Sequence, residues 1–339
     1  MHMPREKSAR PRKRMDEAVA AWKEKEFLDA KPVDAGVIVL RTTGCDHYRS
    51  GGCSMCGYNV ESAAGVTPEN ILTQFEKAMK TLAGVKMLKI YTSGSFLDER
   101  ELPRNVAKHI LSTSAEDNVR VLFETRPEFV TPASLNEVLS SNENLEIALG
   151  LESMNDRVLR YSINKGFSRA DYEAAAKAIA EAGIDLRTYI LLKPPFLTEA
   201  EAIADSIESI KYASRFSRTI SLNPVNVQKG TLVERLWRNW AYRPPWLWSV
   251  LEVLKGAHSD GMRLVCEPTG GGKERGAHNC GSCDETILAS IKAYSESQDI
   301  DRLGFPDCEC RDIWSRILEL DGFVMGGIAD LHRFFRQRG

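Results

Sequence analysis

Between Val37 and Val227, six short apolar runs of strand type alternate with stretches whose apolar residues recur at helical spacing. The runs are Val37–Leu40, Met87–Tyr91, Val119–Phe123, Leu145–Leu151, Leu186–Leu192 and Thr219–Val227. The economical architecture for this rhythm is α/β, a parallel sheet with helices outside. The spacers carry explicit helix starts. Thr67-Pro68-Glu69 places a cap before proline at the first helical position. Thr198-Glu199-Ala200-Glu201 is a capping box, and Ser168-Arg169-Ala170-Asp171 resembles one with Asp in its last place. Asp16–Leu28 is expected to form a short helix leading into the first strand, and Ile313–Leu320 a late helix.

The first strand runs into GCDHYRSGGCSMCGYN, residues 44–59. Its glycines mark a tightly wrapped loop. Cys45, Cys53 and Cys56 stand on it with spacing C-x7-C-x2-C. Three thiolates can hold a cubane iron–sulfur cluster and leave one iron open to chelate a small molecule, whereas a closed structural site wants four ligands. The loop alone also fits a zinc knuckle or three unrelated thiols. With this loop after strand one, the alternation points to a partial (β/α)6 barrel, in which active residues gather at the carboxyl ends of the strands.

At 339 residues the chain can bury a large core. A net charge of −2 gives no global basic field, so any nucleic-acid contact must use a local patch. Arg5, Lys7, Arg10, Arg12, Lys13 and Arg14 read as a solvated tail or as a basic arm on RNA phosphates, and Arg333, Arg336 and Arg338 as part of a basic edge. No signal peptide or membrane span is seen, so a cytoplasmic protein is expected. The eight cysteines then read as metal ligands rather than disulfides. Three regions are expected: a basic arm and helix over 1–34, the barrel over 35–230, and a cysteine-rich, metal-stabilised extension over 231–339. In the extension, Cys280, Cys283, Cys308 and Cys310 supply four thiols, with Cys266 and His278 as spares. They suit tetrahedral zinc, an auxiliary iron–sulfur cluster, or plain core packing. Trp237, Trp240, Trp246 and Trp248 read first as packing; stacking on a nucleobase is the sharper alternative.

The cysteine loop resembles that of the radical S-adenosylmethionine superfamily, and its wide spacing is nearer to the Elongator-like branch. FETRPEF, INKGF and HNCGSCD with the late CEC extend the likeness over about residues 35 to 320. They resemble one archaeal family, the radical S-adenosylmethionine subunit of archaeosine synthase. That resemblance implies a [4Fe-4S] cluster on Cys45, Cys53 and Cys56, and S-adenosylmethionine as co-substrate. It implies a lyase acting on tRNA, where a 5′-deoxyadenosyl radical takes a hydrogen from a lysine-linked adduct of the D-loop 7-deazaguanine (position 15). The C–N bond then breaks to leave archaeosine. A lysine-transferring partner subunit, ArcS, and an electron donor are implied as partners. A thiolating or methylthiolating radical enzyme and a zinc-stabilised RNA binder without catalysis stay open as alternatives.

The resemblance also nominates residues around the co-substrate. Met55 holds the place that is usually aromatic, and Tyr58 is expected to substitute in part. Ser93, Gly94 and Ser95 match the segment that holds the methionine amino group. Glu124 is expected to accept from that ammonium, with Arg126 beside it keeping it ionised or meeting a substrate anion. Glu152 stands where the branch carries glutamine. Lys165 is the candidate cation for the cofactor carboxylate, with Asn164 second. Arg187 or Thr188 is expected to face the ribose, the phase of that strand being open. Lys193 is read as pointing to substrate. Asn223, Asn226 and Gln228 carry amides suited to adenine or substrate.

Overall fold

The computed structural model describes residues 14–28 and 31–324, with side chains described as far as Asp321. Apart from Arg14, the basic residues of both termini named above lie outside them. The chain forms one eight-stranded sheet in sequential order: β1 (Ala20–Leu28), β2 (Lys31–Val39), β3 (Met87–Tyr91), β4 (Arg120–Thr125), β5 (Leu145–Glu152), β6 (Asp185–Leu192), β7 (Thr219–Pro224) and β8 (Arg263–Cys266). β1 pairs antiparallel with β2, and every later pair is parallel. The helices are α1 (Asp46–Arg49), α2 (Pro68–Thr81), α3 (Arg104–Glu116), α4 (Pro132–Leu139), α5 (Arg169–Glu181), α6 (Glu199–Ala213), α7 (Leu232–Arg238), α8 (Leu247–Ala257), α9 (Asp284–Ser297) and α10 (Cys310–Val324). The result is a curled half-barrel with helices outside, and β2–β7 are the six strands expected from the sequence. No helix of the described residues is long and apolar enough to cross a membrane.

Local chemistry explains the register. Thr67, Ser168 and Thr198 all close capping boxes, so α2, α5 and α6 start where the sequence places them. Between sheet and helices lies the main core, where Ile38, Ile90, Phe123, Ile147, Ile190 and Leu222 pack fully buried. On the opposite face of the sheet, Ala35, Met87, Leu122 and Ala148 pack with Tyr91 and Tyr189 as a smaller interior layer.

Two strands depart from expectation. The segment read as a helix, Asp16–Leu28, is largely strand β1. Its Ala, Glu and Lys favour a helix locally, but tertiary pairing prevails. Alternate residues Glu24 and Glu26 turn toward Lys89, with which both form ion pairs. β8 lies beyond residue 230 and hydrogen-bonds to β7, so the sheet continues into the cysteine-rich region.

The interior holds a buried ionic network. Glu26 accepts from Arg187 at 3.0 Å, and Arg187 also donates to Glu146 at 2.9 Å. Burial alone would raise the Glu26 carboxyl. Arg187 and Lys89 outweigh it and hold the group down at about 2. A depressed folded-state value stabilises the fold above the ordinary 4.5 and loses that contribution as pH falls toward 2. Glu26→Gln should therefore lower the urea midpoint near neutrality, and the gap from wild type should narrow as pH falls through that window. A gap independent of pH would contradict the pairing.

Candidate active site

The three thiols sit where β2 ends. Cys45 caps α1, a single turn, and Cys53 and Cys56 follow on the returning loop. The loop is fastened from outside. Ser54, between the last two cysteines, donates its N–H to Ile163 O at 2.8 Å and accepts from Val233 N–H at 3.2 Å. Gly57 N–H donates to Gln228 Oε1 at 2.5 Å, and Asn164 Nδ2 donates to Gly52 O at 2.8 Å. His47 Nε2–H donates to Asn164 O at 2.7 Å. The INKGF segment supplies several of these anchors because Val158–Ile163 is a π-helix that Asn164 ends in a left-handed conformation. Burial pushes the Cys53 thiol up, and the Cys56 thiol to about 12. Loading metal on these residues must therefore expel protons.

The turn after β3 meets this loop. A Cβ on Gly94 would lie 2.8 Å from Cys45 Cβ, so only glycine lets the turn close on the cysteine. Its shape is set by Glu101, which no sequence motif marks. The buried Glu101 carboxylate accepts N–H bonds from Ser93 (2.8 Å), Gly94 (3.0 Å) and Ser95 (2.7 Å), and the Thr42 hydroxyl donates to it at 2.7 Å. Ser95 Oγ lies 2.6 Å from Thr125 Oγ1.

Glu152 and Lys165 form a buried ion pair at 2.7 Å. Glu152 ends β5 at φ +68°, and a Cβ on Gly150 would fall 2.3 Å from its Oε1, so glycine makes room for the carboxylate. Burial opposes the Lys165 charge, but Glu152 and Cys53 raise its pKa nonetheless. The ammonium is thus paired with a carboxylate and within electrostatic reach of the cysteine loop. Burial lifts the Glu124 carboxyl to about 7, the Tyr189 hydroxyl pulling it the other way and Glu152 adding to the rise. Arg126 does not keep Glu124 ionised. It pairs with Glu128 at 2.6 Å and donates to Lys165 O at 3.1 Å.

The remaining nominees divide. Tyr58 is 53% exposed on the loop, with its N–H directed to the Cys56 sulfur. Met55 is half-buried against the core. Asn226 is half-buried and accepts from Gln228 Nε2 at 3.3 Å, while Asn223 accepts from Ser221 Oγ. Arg187 is committed to Glu146 and Glu26, and Thr188 bonds to Tyr172 and Ser217, so neither is brought to the cysteine loop. Lys193 pairs with buried Glu199 at 2.5 Å rather than presenting a free ammonium.

A second thiol group is compact. Cys280, Cys283, Cys308 and Cys310 place their sulfurs within 4.8 Å of one another, with 3.6 Å between Cys280 and Cys308 and 3.7 Å between Cys283 and Cys310. Tetrahedral ligation at about 2.3 Å calls for sulfurs about 3.8 Å apart. These sulfurs fit one ion and are too close for the separate corners of a cubane. Trp248 Nε1 and Asn279 Nδ2 each donate to a sulfur at 3.3 Å, and the Ser282 N–H lowers the Cys280 thiol to about 6. Cys266 is buried in β8, and His278 donates Nδ1–H to Gly276 O, so neither spare is needed.

Residues 39–207 match the radical SAM superfamily. The chain is 40% identical to the archaeosine synthase subunit beta of Methanosarcina acetivorans, over 92% of each chain. It is 39% identical to the archaeosine synthase subunit beta of Thermococcus kodakarensis, over 88% of this chain and 96% of that one. Among solved structures, Elp3 of Methanocaldococcus infernus aligns with a TM-score of 0.46 at 15% identity, covering 69% of this chain and 56% of that chain.

The Glu101 cradle gives a direct test. Glu101→Gln keeps the volume but replaces an acceptor oxygen with an NH2 facing backbone donors. Leaving one or two buried donors unsatisfied should cost about 2–4 kcal/mol, read as a lower urea midpoint. An unchanged midpoint would contradict the cradle.

Proposed function

We propose that this chain, which belongs to the radical S-adenosylmethionine superfamily and within it to the archaeosine synthase subunit beta family, forms archaeosine in tRNA by cleaving the C–N bond of a lysine adduct on the D-loop 7-deazaguanine. The observation that carries this reading is the match along about nine-tenths of the chain to two archaeosine synthase beta subunits. On this reading the chain is a radical lyase that works beside the lysine-transferring ArcS subunit, draws on a one-electron donor, and acts in the reducing cytoplasm.

The residues fit the groups this requires. Cys45, Cys53 and Cys56 share one loop, and Gly94 closes on Cys45. Three thiolates hold a [4Fe-4S] cluster with one iron unligated by protein. When bound, that cluster supplies the electron that cleaves S-adenosylmethionine reductively. The chain's own residues bind and orient. Lys165 offers its ammonium to the co-substrate carboxylate, and Glu152 keeps that ammonium charged and placed. Glu124, poised near neutrality, accepts from the amino group, whose positive charge draws its proton off. The Ser93–Ser95 turn, held by Glu101, presents backbone groups beside it, and Asn226 offers its amide to the adenine. Met55 and Tyr58 flank Cys56 on the loop. Holding these partners fixed and water out is the protein's contribution to radical chemistry. We assign zinc to the four carboxyl-terminal thiols, where it ties the start of α9 to that of α10.

Two cysteine variants test the division of labour. Cys53→Ala should abolish release of 5′-deoxyadenosine while leaving the melting temperature near wild type. Cys283→Ala should lose bound zinc and lower Tm by roughly 5 °C or more, since 1 kcal/mol moves Tm by about 2 °C in a large domain. The reverse pattern would contradict the assignment.

A further inference from the structure

The segment Gln228–Arg243 forms a strap along one side of the site. It is fastened at both ends. At one end Gln228 accepts from Gly57 N–H and Val233 N–H donates to Ser54 O, both within the cysteine loop. At the other, the Tyr242 hydroxyl donates to Lys193 O at 2.8 Å, just beyond β6, and Arg243 Nη2 donates to His278 O at 2.7 Å. Between these fixings runs α7, about 10 Å long at 1.5 Å per residue.

Trp240 stands at the far end of α7, 96% exposed. Its position is not that of a frayed terminus. Its φ is +57°, and its N–H donates to Trp237 O at 3.1 Å. On either side, Ala241 N–H donates to Leu236 O at 2.9 Å, and Asn239 Nδ2 donates to Arg235 O at 2.8 Å. A well-bonded turn thus holds an indole almost wholly in solvent, where its apolar surface gains nothing for the fold. Of nine large apolar side chains exposed among the described residues, five are Tyr48, Tyr58 and Val60 in or next to the cysteine loop, Phe196 after β6, and Trp240.

The strap carries a charge that the whole chain lacks. It holds four cations, Lys229, Arg235, Arg238 and Arg243, against one acid, Glu234. Glu234 is buried and is shared by Arg238 and Arg275. Among the described residues, neither Lys229 nor Arg235 has an ion-pair partner, and both are exposed. An exposed indole on the same segment as exposed cations suits single-stranded nucleic acid, where a base stacks on the ring and phosphates meet the cations.

We infer that the Gln228–Arg243 strap is a tRNA-docking surface, with Trp240 stacking on an unpaired base and Lys229 and Arg235 meeting the backbone beside the cysteine loop. This rests on the tRNA reading above and adds the surface that would serve it. Exposing a base from a folded tRNA costs energy, and a stacking platform offsets part of it.

The test uses anaerobically reconstituted full-length protein and a fluorescein-labelled archaeal tRNA transcript, with anisotropy followed over a salt series. Trp240→Ala should weaken binding about tenfold, and Trp240→Phe, which keeps a ring face, should restore most of it. Arg235→Gln should reduce the salt slope by about one phosphate contact. Release of 5′-deoxyadenosine without RNA should be unchanged in all three. Wild-type affinity and slope in Trp240→Ala and Arg235→Gln would overturn the surface. So would loss of ArcS binding with tRNA affinity intact, which would make the strap a protein interface. A wild-type protein that ignores tRNA altogether would instead strike the functional reading, and the surface with it.

Discussion

The barrel mouth depends on the bonds that fasten residues 44–59 in place. Three thiols on a glycine-rich loop have no fixed separation of their own. Here the loop is held through Ser54 to Ile163 and Val233, through Gly52 to Asn164, and through Gly57 to Gln228. Each anchor lies more than a hundred residues away, so the completed sheet sets the loop. The π-helix before Asn164 and the strap after β7 are the two arms of that clamp. A site fixed by distant, rigid elements holds its geometry better than one fixed by its own flexible loop.

The same elements also arrange the charges. Lys165, in the segment that anchors the loop, is paired with Glu152 and is within electrostatic reach of Cys53. A buried ammonium without its carboxylate would be costly. The pair keeps a cation at the site before any ligand arrives. Glu101 does a similar task with backbone, gathering three N–H groups and a hydroxyl onto one carboxylate and pressing the Gly94 turn against Cys45. Deeper in the barrel, Glu26, Lys89, Arg187 and Glu146 satisfy one another, which makes that layer structural.

Much of the frame was readable before the structure. The six inner strands announce themselves as apolar runs, and three of their following helices begin at capping boxes. The cysteine trio, the four later thiols and both members of the Glu152–Lys165 pair stand out by spacing or motif. What was not readable has physical reasons. β1 is built from residues that prefer helix, and only the buried Lys89 reveals why its acids alternate inward. β8 is a short strand, Arg263–Cys266, whose partner lies some forty residues back. Glu101 stands in a run of acids, Asp98, Glu99 and Glu101, and nothing local marks which of them turns inward. Arg187 lies on β6 as the motif suggested, but its guanidinium is already spoken for by Glu146 and Glu26, which linear spacing cannot disclose.

The central claim is that three cysteines hold a cubane with one iron left for S-adenosylmethionine. Iron content and the electron paramagnetic resonance spectrum of anaerobically reconstituted, reduced protein test it most directly. About four irons per chain, with a signal that changes when S-adenosylmethionine is added, is the expected result. Zinc alone, or a cluster signal indifferent to S-adenosylmethionine, would contradict it.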